Sequence, residues 1–369
     1  MNMDRNVGLS ASHTPYRRTP YRRALVVGKF CPLHLGHMHL IQSAIDASGE
    51  VLVISYTKPA FTGLGRARRE AWLRELFPGV RSLVVDDASL GDLCARRGLR
   101  PRKLPHNDED AAVHRQFTAW LCHAICETTV DAVFTSEDYG DGFAVALSAY
   151  FGERFPGSAP VRHVQVDLAR AAVPISGTRI RDNPHLHRQF MHPAVYASFV
   201  ERICLLGGES SGKTTLARAL AARLDTQWVP EVGREHWEER GGALGYADMR
   251  LIAEGQVARE DVLARQARQW LVCDGSALTT VFYSLDGFGR VDPVVRRLAE
   301  QPYAFTFVCA PDFAFVQDGT RRDAGFRQRQ HRWYCSVLEA RGIPFMVLDG
   351  QVAQRMDAVC RLLNRGAGR

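Results

Sequence analysis

The sequence predicts an α/β protein of two successive domains, each built on a parallel sheet. Short apolar strands alternate with amphipathic helices along nearly the whole chain, the pattern of a sheet covered on both faces. Two Gly-containing turns, one starting at Gly28 and the other at Gly207, each follow an apolar strand and precede a helix. A length of 369 residues suits two cores better than one.

In the first domain, strand Ala24–Gly28 leads into a helix from about Gly36 to Ala47, then strand Val51–Ser55. A helix at Ala67–Leu76 precedes strand Ser82–Val85. Residues 91–110, rich in Arg, Gly, Pro and Asp, read as a loop or lid. Helix Ala112–Thr128 and strands Ala132–Thr135 and Val161–Val166 complete the unit. Asn183-Pro184 and His192-Pro193 punctuate the next stretch and mark a boundary. The second series starts with strand Arg202–Leu206 and helix Lys213–Arg223. Further strands are expected near Gln227–Pro230, Trp270–Cys273, Ala304–Cys309 and Pro344–Leu348. The expected division is a basic disordered lead-in over 1–22, one domain over 23–190 and another over 191–369.

Composition narrows the class of function. Hydrophobic residues make up 46% and charged residues 24%, ordinary values for a globular protein. No apolar run approaches the roughly 20 residues of a membrane span, and no apolar signal core follows the arginines of the N-terminus. A cytoplasmic protein without a membrane partner is therefore expected. Nine scattered cysteines contain no C-x-x-C pair, which suits reduced, buried thiols. The formal charge of +7 and pI near 9.0 serve polyphosphate ligands as well as nucleic acid. With no nucleic-acid module in view, small phosphorylated substrates are expected and nucleic acid is not.

The first turn carries chemistry at close spacing. Gly28-Lys29-Phe30-Cys31-Pro32-Leu33-His34-Leu35-Gly36-His37 places two histidines three apart at a helix start, on one face. Backbone N–H groups and the helix dipole favour phosphate there, and Gly36 is expected to admit a ligand close to the backbone. Downstream, Ile175-Ser176-Gly177-Thr178-Arg179-Ile180-Arg181 offers hydroxyls and arginines at another helix start. This pair of motifs resembles the H-x-G-H nucleotidyltransferases and their I-S-x-T-x-I-R signature. The resemblance implies that an acceptor phosphate attacks the α-phosphorus of ATP, with pyrophosphate leaving. It puts His34 and His37 at the ATP phosphates, Gly28, Phe30 and Gly36 among the ATP-binding residues, and Lys29 near the reacting centre. Ser176, Thr178 and Arg179 would hold the β/γ end, with Mg2+ bridging phosphate oxygens.

Phe134-Thr135-Ser136-Glu137-Asp138-Tyr139-Gly140 resembles the segment that closes over nucleotide and acceptor in nicotinamide-mononucleotide adenylyltransferases. This makes Ser136, Glu137 and Tyr139 substrate residues, although Ser-Glu-Asp is also an ordinary helix cap. Arg69 matches a family arginine on the substrate side. Trp72 reads as core, and Trp120 in the lid is a candidate for the nicotinamide ring.

Gly207-Gly208-Glu209-Ser210-Ser211-Gly212-Lys213-Thr214-Thr215 fits the complete P-loop pattern between strand and helix. Its backbone amides would cradle the β-phosphate, Lys213 would neutralise β/γ oxygens, and Thr214 would ligate Mg2+. Glu231-Val232-Gly233-Arg234-Glu235 resembles the E-x-G-R-E segment of ribosylnicotinamide kinase domains. By that resemblance Glu231 and Arg234 stand near the substrate ribose and its 5′-hydroxyl. Asp274-Gly275-Ser276 stands where that family has D-T-D, so Asp274 is a candidate metal partner or base while the second carboxylate is missing. Gln317-Asp318-Gly319-Thr320-Arg321-Arg322 resembles the lid, with Arg321 on the transferred phosphoryl group.

Both signatures together resemble the bifunctional NadR-type enzymes of NAD salvage from about residue 22 to 365. The resemblance implies phosphorylation of ribosylnicotinamide to nicotinamide mononucleotide by the second domain and adenylylation to NAD by the first, each using ATP. The stretch before the first strand is too short for the helix-turn-helix module that some members carry, so the form without it is expected. The substitution at Ser276 keeps open a P-loop domain that senses nucleotide, or acts as a regulator, beside an active adenylyltransferase. The oligomeric state is left open.

Overall fold

The structure is a computed structural model describing residues 19–315 and 322–366. It contains two compact units. One runs to Asn183 and takes in Gln189–Met191, and the other comprises Pro184–Arg188 and everything from His192 onward.

The first unit contains, in order, β1 (Tyr21–Val27), α1 (Leu35–Ala47), β2 (Ser48–Tyr56), α2 (Arg66–Leu76) and β3 (Arg81–Val85). α3 (Asp87–Arg96), α4 (Ala111–Trp120), β4 (Ala132–Thr135), α5 (Gly140–Arg154), β5 (Arg162–Gln165) and α6 (Gly177–Asp182) follow. The sheet order is β3-β2-β1-β4-β5, and every pairing is parallel. Central β1 has Ala24, Leu25 and Val26 fully buried, with Leu25 beside Leu52 on one side and Val133 on the other. A strand covered on both faces needs an unbroken apolar run, and each large aliphatic side chain so buried contributes roughly 1.5–3 kcal/mol.

The second unit contains α7 (Pro193–Tyr196), β6 (Glu201–Gly207), α8 (Lys213–Arg223), β7 (Trp228–Val229), α9 (Val232–Glu239), α10 (Tyr246–Ala264) and β8 (Trp270–Asp274). α11 (Ala277–Phe288), α12 (Pro293–Leu298), β9 (Phe305–Cys309), α13 (Ala324–Ala340), β10 (Met346–Leu348) and α14 (Val352–Gly366) complete it. Its sheet, ordered β10-β9-β6-β8-β7, is also parallel throughout.

Both sheets put the first strand of the unit in the middle, with later strands added to either side. Chain direction therefore diverges at the carboxyl end of β1 and again at that of β6, which opens a crevice at each place. The two Gly-containing turns leave from these strand ends.

Three expectations need correction. The lead-in does not extend to residue 22. β1 begins at Tyr21, and Asp131 accepts from the backbone N–H of Arg22 and of Arg23 at 2.8 Å each, which extends the strand. Residues 1–18 lie outside the described residues. The loop expected over 91–110 starts later, because Asp86 caps α3 by accepting from Ser89 N and the helix runs to Arg96. The rest of the loop is tethered, with Asp87 accepting from Leu104 N and Asn107 from Thr57 and Lys58 N. The helix expected to reach Thr128 ends as α4 at Trp120 and widens into a π-helical turn over Leu121–Ile125. All nine cysteines are free thiols, seven buried and two half-buried. No helix among the described residues is long and apolar enough to cross a membrane.

Candidate active sites

A cleft of about 530 Å³ opens at the carboxyl ends of β1 and β4. His34 is the N-cap of α1. Its Nδ1 accepts from His37 N, and the Nδ1 of His37 accepts from His34 N, both at 3.4 Å. The rings stack with centroids 3.7 Å apart. With each Nδ1 used as an acceptor, a neutral ring carries its proton on Nε2. Burial, helped by the charge of Arg170, lowers the His34 pKa to about 4. Burial and the neighbouring His34 lower that of His37 as well, against the opposing effect of the Pro32 carbonyl. The pair is thus held neutral, two dipolar imidazoles at the positive end of a helix.

Gly36 lines the cleft and has a second reason to lack a side chain. A Cβ there would lie 3.0 Å from Cε1 of His34, so the glycine makes room for the imidazole of the same motif. Phe30 is buried and meets His37 edge-on at 5.1 Å, which buttresses the ring. Gly28 in turn lies under the Phe30 ring, where a Cβ would approach to 2.7 Å. Lys29 lines the cleft with an exposed side chain, while its carbonyl accepts from Ser55 Oγ and Arg69.

Ser176 caps α6 by accepting from Arg179 N at 3.3 Å. Ser176 and Thr178 line the cleft, as do Ser136, Glu137 and Tyr139 from the turn after β4. That turn is held by a chain of polar contacts. Thr135 Oγ1 donates to the Glu137 carbonyl at 3.0 Å, and His163 bridges Thr135 at 2.9 Å and Asp141 at 2.8 Å.

Three expected residues stand elsewhere. Arg69 is buried behind the cleft, donating to Ser55 Oγ at 2.6 Å and to the Lys29 carbonyl, so it props the motif loop from behind. Arg179 is exposed and does not line the cleft. Trp120 is core, packed on Phe117 and covered by Arg102 at 4.5 Å, and it does not reach the cleft. Trp72 is core too. In their stead the fold supplies Arg170, which pairs with Glu137 at 3.6 Å, and Arg181, which donates to the Cys31 carbonyl and Thr178 and lies over Phe61. Tyr56, His114 and Arg115 form another wall. Arg181 closes the I-S-x-T-x-I-R signature, whereas Arg170 lies in an irregular loop and Tyr56, His114 and Arg115 lie outside any motif, so no local pattern marked those four.

The second cleft, about 620 Å³, opens where β6 meets β8. Glu209, Ser210, Ser211, Gly212, Lys213, Thr214 and Thr215 all line it. Gly207 and Gly208 are pressed against backbone, where a Cβ would come within 2.8 Å of the Cys309 carbonyl and 2.6 Å of the Arg327 carbonyl respectively. Lys213 Nζ donates to the carbonyls of Gly207 and Gly208 at 2.9 and 3.0 Å. Thr214 Oγ1 donates to Asp274 Oδ2 at 2.6 Å. The other carboxyl oxygen, Asp274 Oδ1, is buried with no hydrogen-bond partner. A hydroxyl and a carboxylate with an unused buried lone pair suit a hard divalent cation such as Mg2+.

Burial pushes the carboxyls of Asp274 and Glu231 above their ordinary range, with Lys213 pulling both back. Glu231 and Arg234 line the cleft on either side of Gly233. Ser276, in place of the family's second carboxylate, is the N-cap of α11 and accepts from Leu278 N at 3.2 Å. Glu209 turns away from the loop to accept from Tyr283 and from Arg322 N. Arg321 lies outside the described residues. Two buried arginines that no motif marked hold the loop from outside. Arg355 donates to the Ser211 carbonyl at 2.8 Å, and Arg327 reaches the Ser210 carbonyl at 3.4 Å.

The chain is similar to known proteins along most of its length. A family model described as an AAA domain matches residues 202–355. The trifunctional NAD biosynthesis/regulator protein NadR of Escherichia coli (strain K12) is 28% identical over 347 residues, covering 88% of this chain and 78% of that one. The crystal structure of a NadR protein in complex with NAD and AMP-PNP, 20% identical, superposes with a TM-score of 0.66 over 92% of this chain and 95% of the other. A NadR structure in complex with NR gives 0.63 at 21% identity over the same shares. With sequence similarity running through both units and the fold matched over 92% of the chain, the chain is homologous to NadR.

Proposed function

We propose that this protein makes NAD in two ATP-dependent steps, one in each cleft. The observation that carries the proposal is the pairing, within one NadR homologue, of a stacked His34–His37 cap and a P-loop with its Thr214–Asp274 partner, each at the crevice of its own sheet. The relatives are named for NAD biosynthesis, and the matched structures hold NAD with AMP-PNP in one case and NR in the other. Kinship with NadR supports a nucleotide-transferring enzyme of NAD biosynthesis.

In the second cleft, the 5′-oxygen of ribosylnicotinamide attacks the γ-phosphorus of ATP. The bond to the bridging oxygen of ADP breaks, and the hydroxyl proton passes to Glu231, whose carboxyl burial pushes above its ordinary range. Arg234 orients the ribose. The loop amides and Lys213 bear the phosphate charge, Lys213 exchanging its two carbonyl partners for phosphate oxygens. Thr214 and Asp274 would hold Mg2+, which supplies charge neutralisation on the nucleotide when bound.

In the first cleft, a phosphate oxygen of nicotinamide mononucleotide attacks the α-phosphorus of a second ATP and pyrophosphate leaves. No covalent enzyme intermediate is needed, so orientation and charge stabilisation do the catalysis. The neutral His34 and His37 donate to phosphate without repelling each other, Lys29 faces the reacting centre, and Ser176 and Thr178 hold the pyrophosphate end. Ser136, Glu137 and Tyr139 close on the nucleoside. The placement of Ser276 as a helix cap favours a working kinase over a nucleotide sensor, because the Asp274–Thr214 pair stands without a second carboxylate.

Product analysis tests this directly. Given Mg-ATP, the protein should form NAD both from ribosylnicotinamide and from nicotinamide mononucleotide. NAD from the mononucleotide alone would leave the kinase half unsupported, and NAD from neither would overturn the proposal.

A further inference from the structure

The cations around the first cleft are mostly engaged by the protein. Arg170 pairs with Glu137, and Arg181 is committed to the Cys31 carbonyl and Thr178. Arg115 differs. It lines the cleft from α4, yet no hydrogen bond or ion pair ties it to any described residue, and its Nε is buried without an acceptor. Its place is nonetheless well defined. The guanidinium fills the space beside Gly142 that a Cβ would need, a position within 2.5–2.7 Å of Cζ and both terminal nitrogens.

The electrostatics of this seat are one-sided. Gly142 belongs to the first turn of α5, a helix of 15 residues whose amino end carries partial positive charge. The acidic residue of that turn, Asp141, is paired with His163 instead. A half-buried guanidinium beside a helix amino terminus, with no carboxylate of its own, is unfavourable until an anion arrives. The neighbouring His114 stacks on Tyr56 and feels the charge of Lys29, so this wall adjoins the lysine assigned to the reacting centre.

We propose that Arg115 is a binding residue for an anionic oxygen group of the acceptor, seated by Gly142 and completed only when the acceptor is bound. The inference rests on the adenylyltransferase reading of this cleft. The anion is either the acceptor's 5′-phosphate or a carboxylate on its pyridine ring, both of which match a guanidinium fork.

Steady-state kinetics of Arg115→Ala in the full chain test it, with nicotinamide mononucleotide and nicotinic acid mononucleotide as alternative acceptors. The acceptor KM should rise at least about tenfold, with the KM for ATP unchanged and phosphorylation of ribosylnicotinamide unaffected. An equal rise for both acceptors assigns the phosphate, and a larger rise for the acid assigns the carboxylate. Arg115→Lys, which keeps the charge without the fork, should fall between wild type and Ala, and it carries the test if Ala does not fold. An unchanged acceptor KM, or an ATP KM rising in step with it, would overturn the inference. Failure of the wild type to adenylate either acceptor would instead remove the reading beneath it.

Discussion

His34 does two jobs with one ring: it caps α1, and it presents an uncharged donor to the cleft. The cap is what keeps it uncharged, since the helix buries the ring and occupies Nδ1. This has a measurable consequence for stability. An unfolded imidazole titrates near 6.5, and the folded one near 4. Between those values the unfolded chain binds more protons, so stability rises with pH. The contribution is complete above 6.5 and lost as pH falls toward 4, amounting to on the order of 3 kcal/mol. His34→Asn retains a good N-cap and removes the titration. Denaturation midpoints at pH 4.5 and 7.5 should therefore lie closer together in the variant than in the wild type. An unchanged gap would mean that His34 titrates normally. At Asp274 the same scale gives a second prediction. Asp274→Asn keeps the shape and the acceptor for Thr214 but removes the charge, so phosphorylation should fall by about 10²-fold or more, with adenylylation intact in the same preparation.

At the scale of elements, the turn between β4 and α5 shows how a site segment is held still. Its residues Ser136, Glu137 and Tyr139 reach the cleft, while Thr135, His163 and Asp141 fix its course from below. Gly140 is the element's tightest point, since a Cβ would overlap the His163 ring at 2.0 Å. Gly140→Ala should cost about 1–3 kcal/mol by overpacking, read as a lower melting temperature, and should raise the acceptor KM by displacing the turn. A wild-type melting temperature would show that the His163 contact is not rigid. Elements with strong periodicity or a continuous apolar run were legible in the sequence, as β4 at Ala132–Thr135 and α8 at Lys213–Arg223 show. The start of the 91–110 loop was not, because Arg, Gly and Asp fit an exposed helix as well as a loop once Asp86 supplies a cap.

For the whole molecule, each cleft is lined by residues of one compact unit alone. The two proposed reactions, placed in separate units, should fail separately. His37→Ala is expected to lower adenylylation by about 10²-fold or more while phosphorylation persists, and Lys213→Ala to do the reverse. Assaying both reactions on each folded variant checks this, and either variant losing both activities would refute independence.

What the sequence determined by itself is local. Apolar runs, the His-x-Gly-His turn and the P-loop each place their own backbone through steric and capping rules that operate within about ten residues. His34, Gly36 and His37 of the first motif and Glu209 to Thr215 of the second accordingly line the two clefts. What only the tertiary structure decided is which distant groups meet them: Arg355 on the Ser211 carbonyl, Arg69 behind the Lys29 loop, His163 under the Thr135 turn, Arg115 on Gly142. Those contacts depend on strand order and on the missing Cβ of a remote glycine. Neither leaves a periodic or spaced signal along the chain, because packing selects partners by proximity in space rather than by distance in sequence.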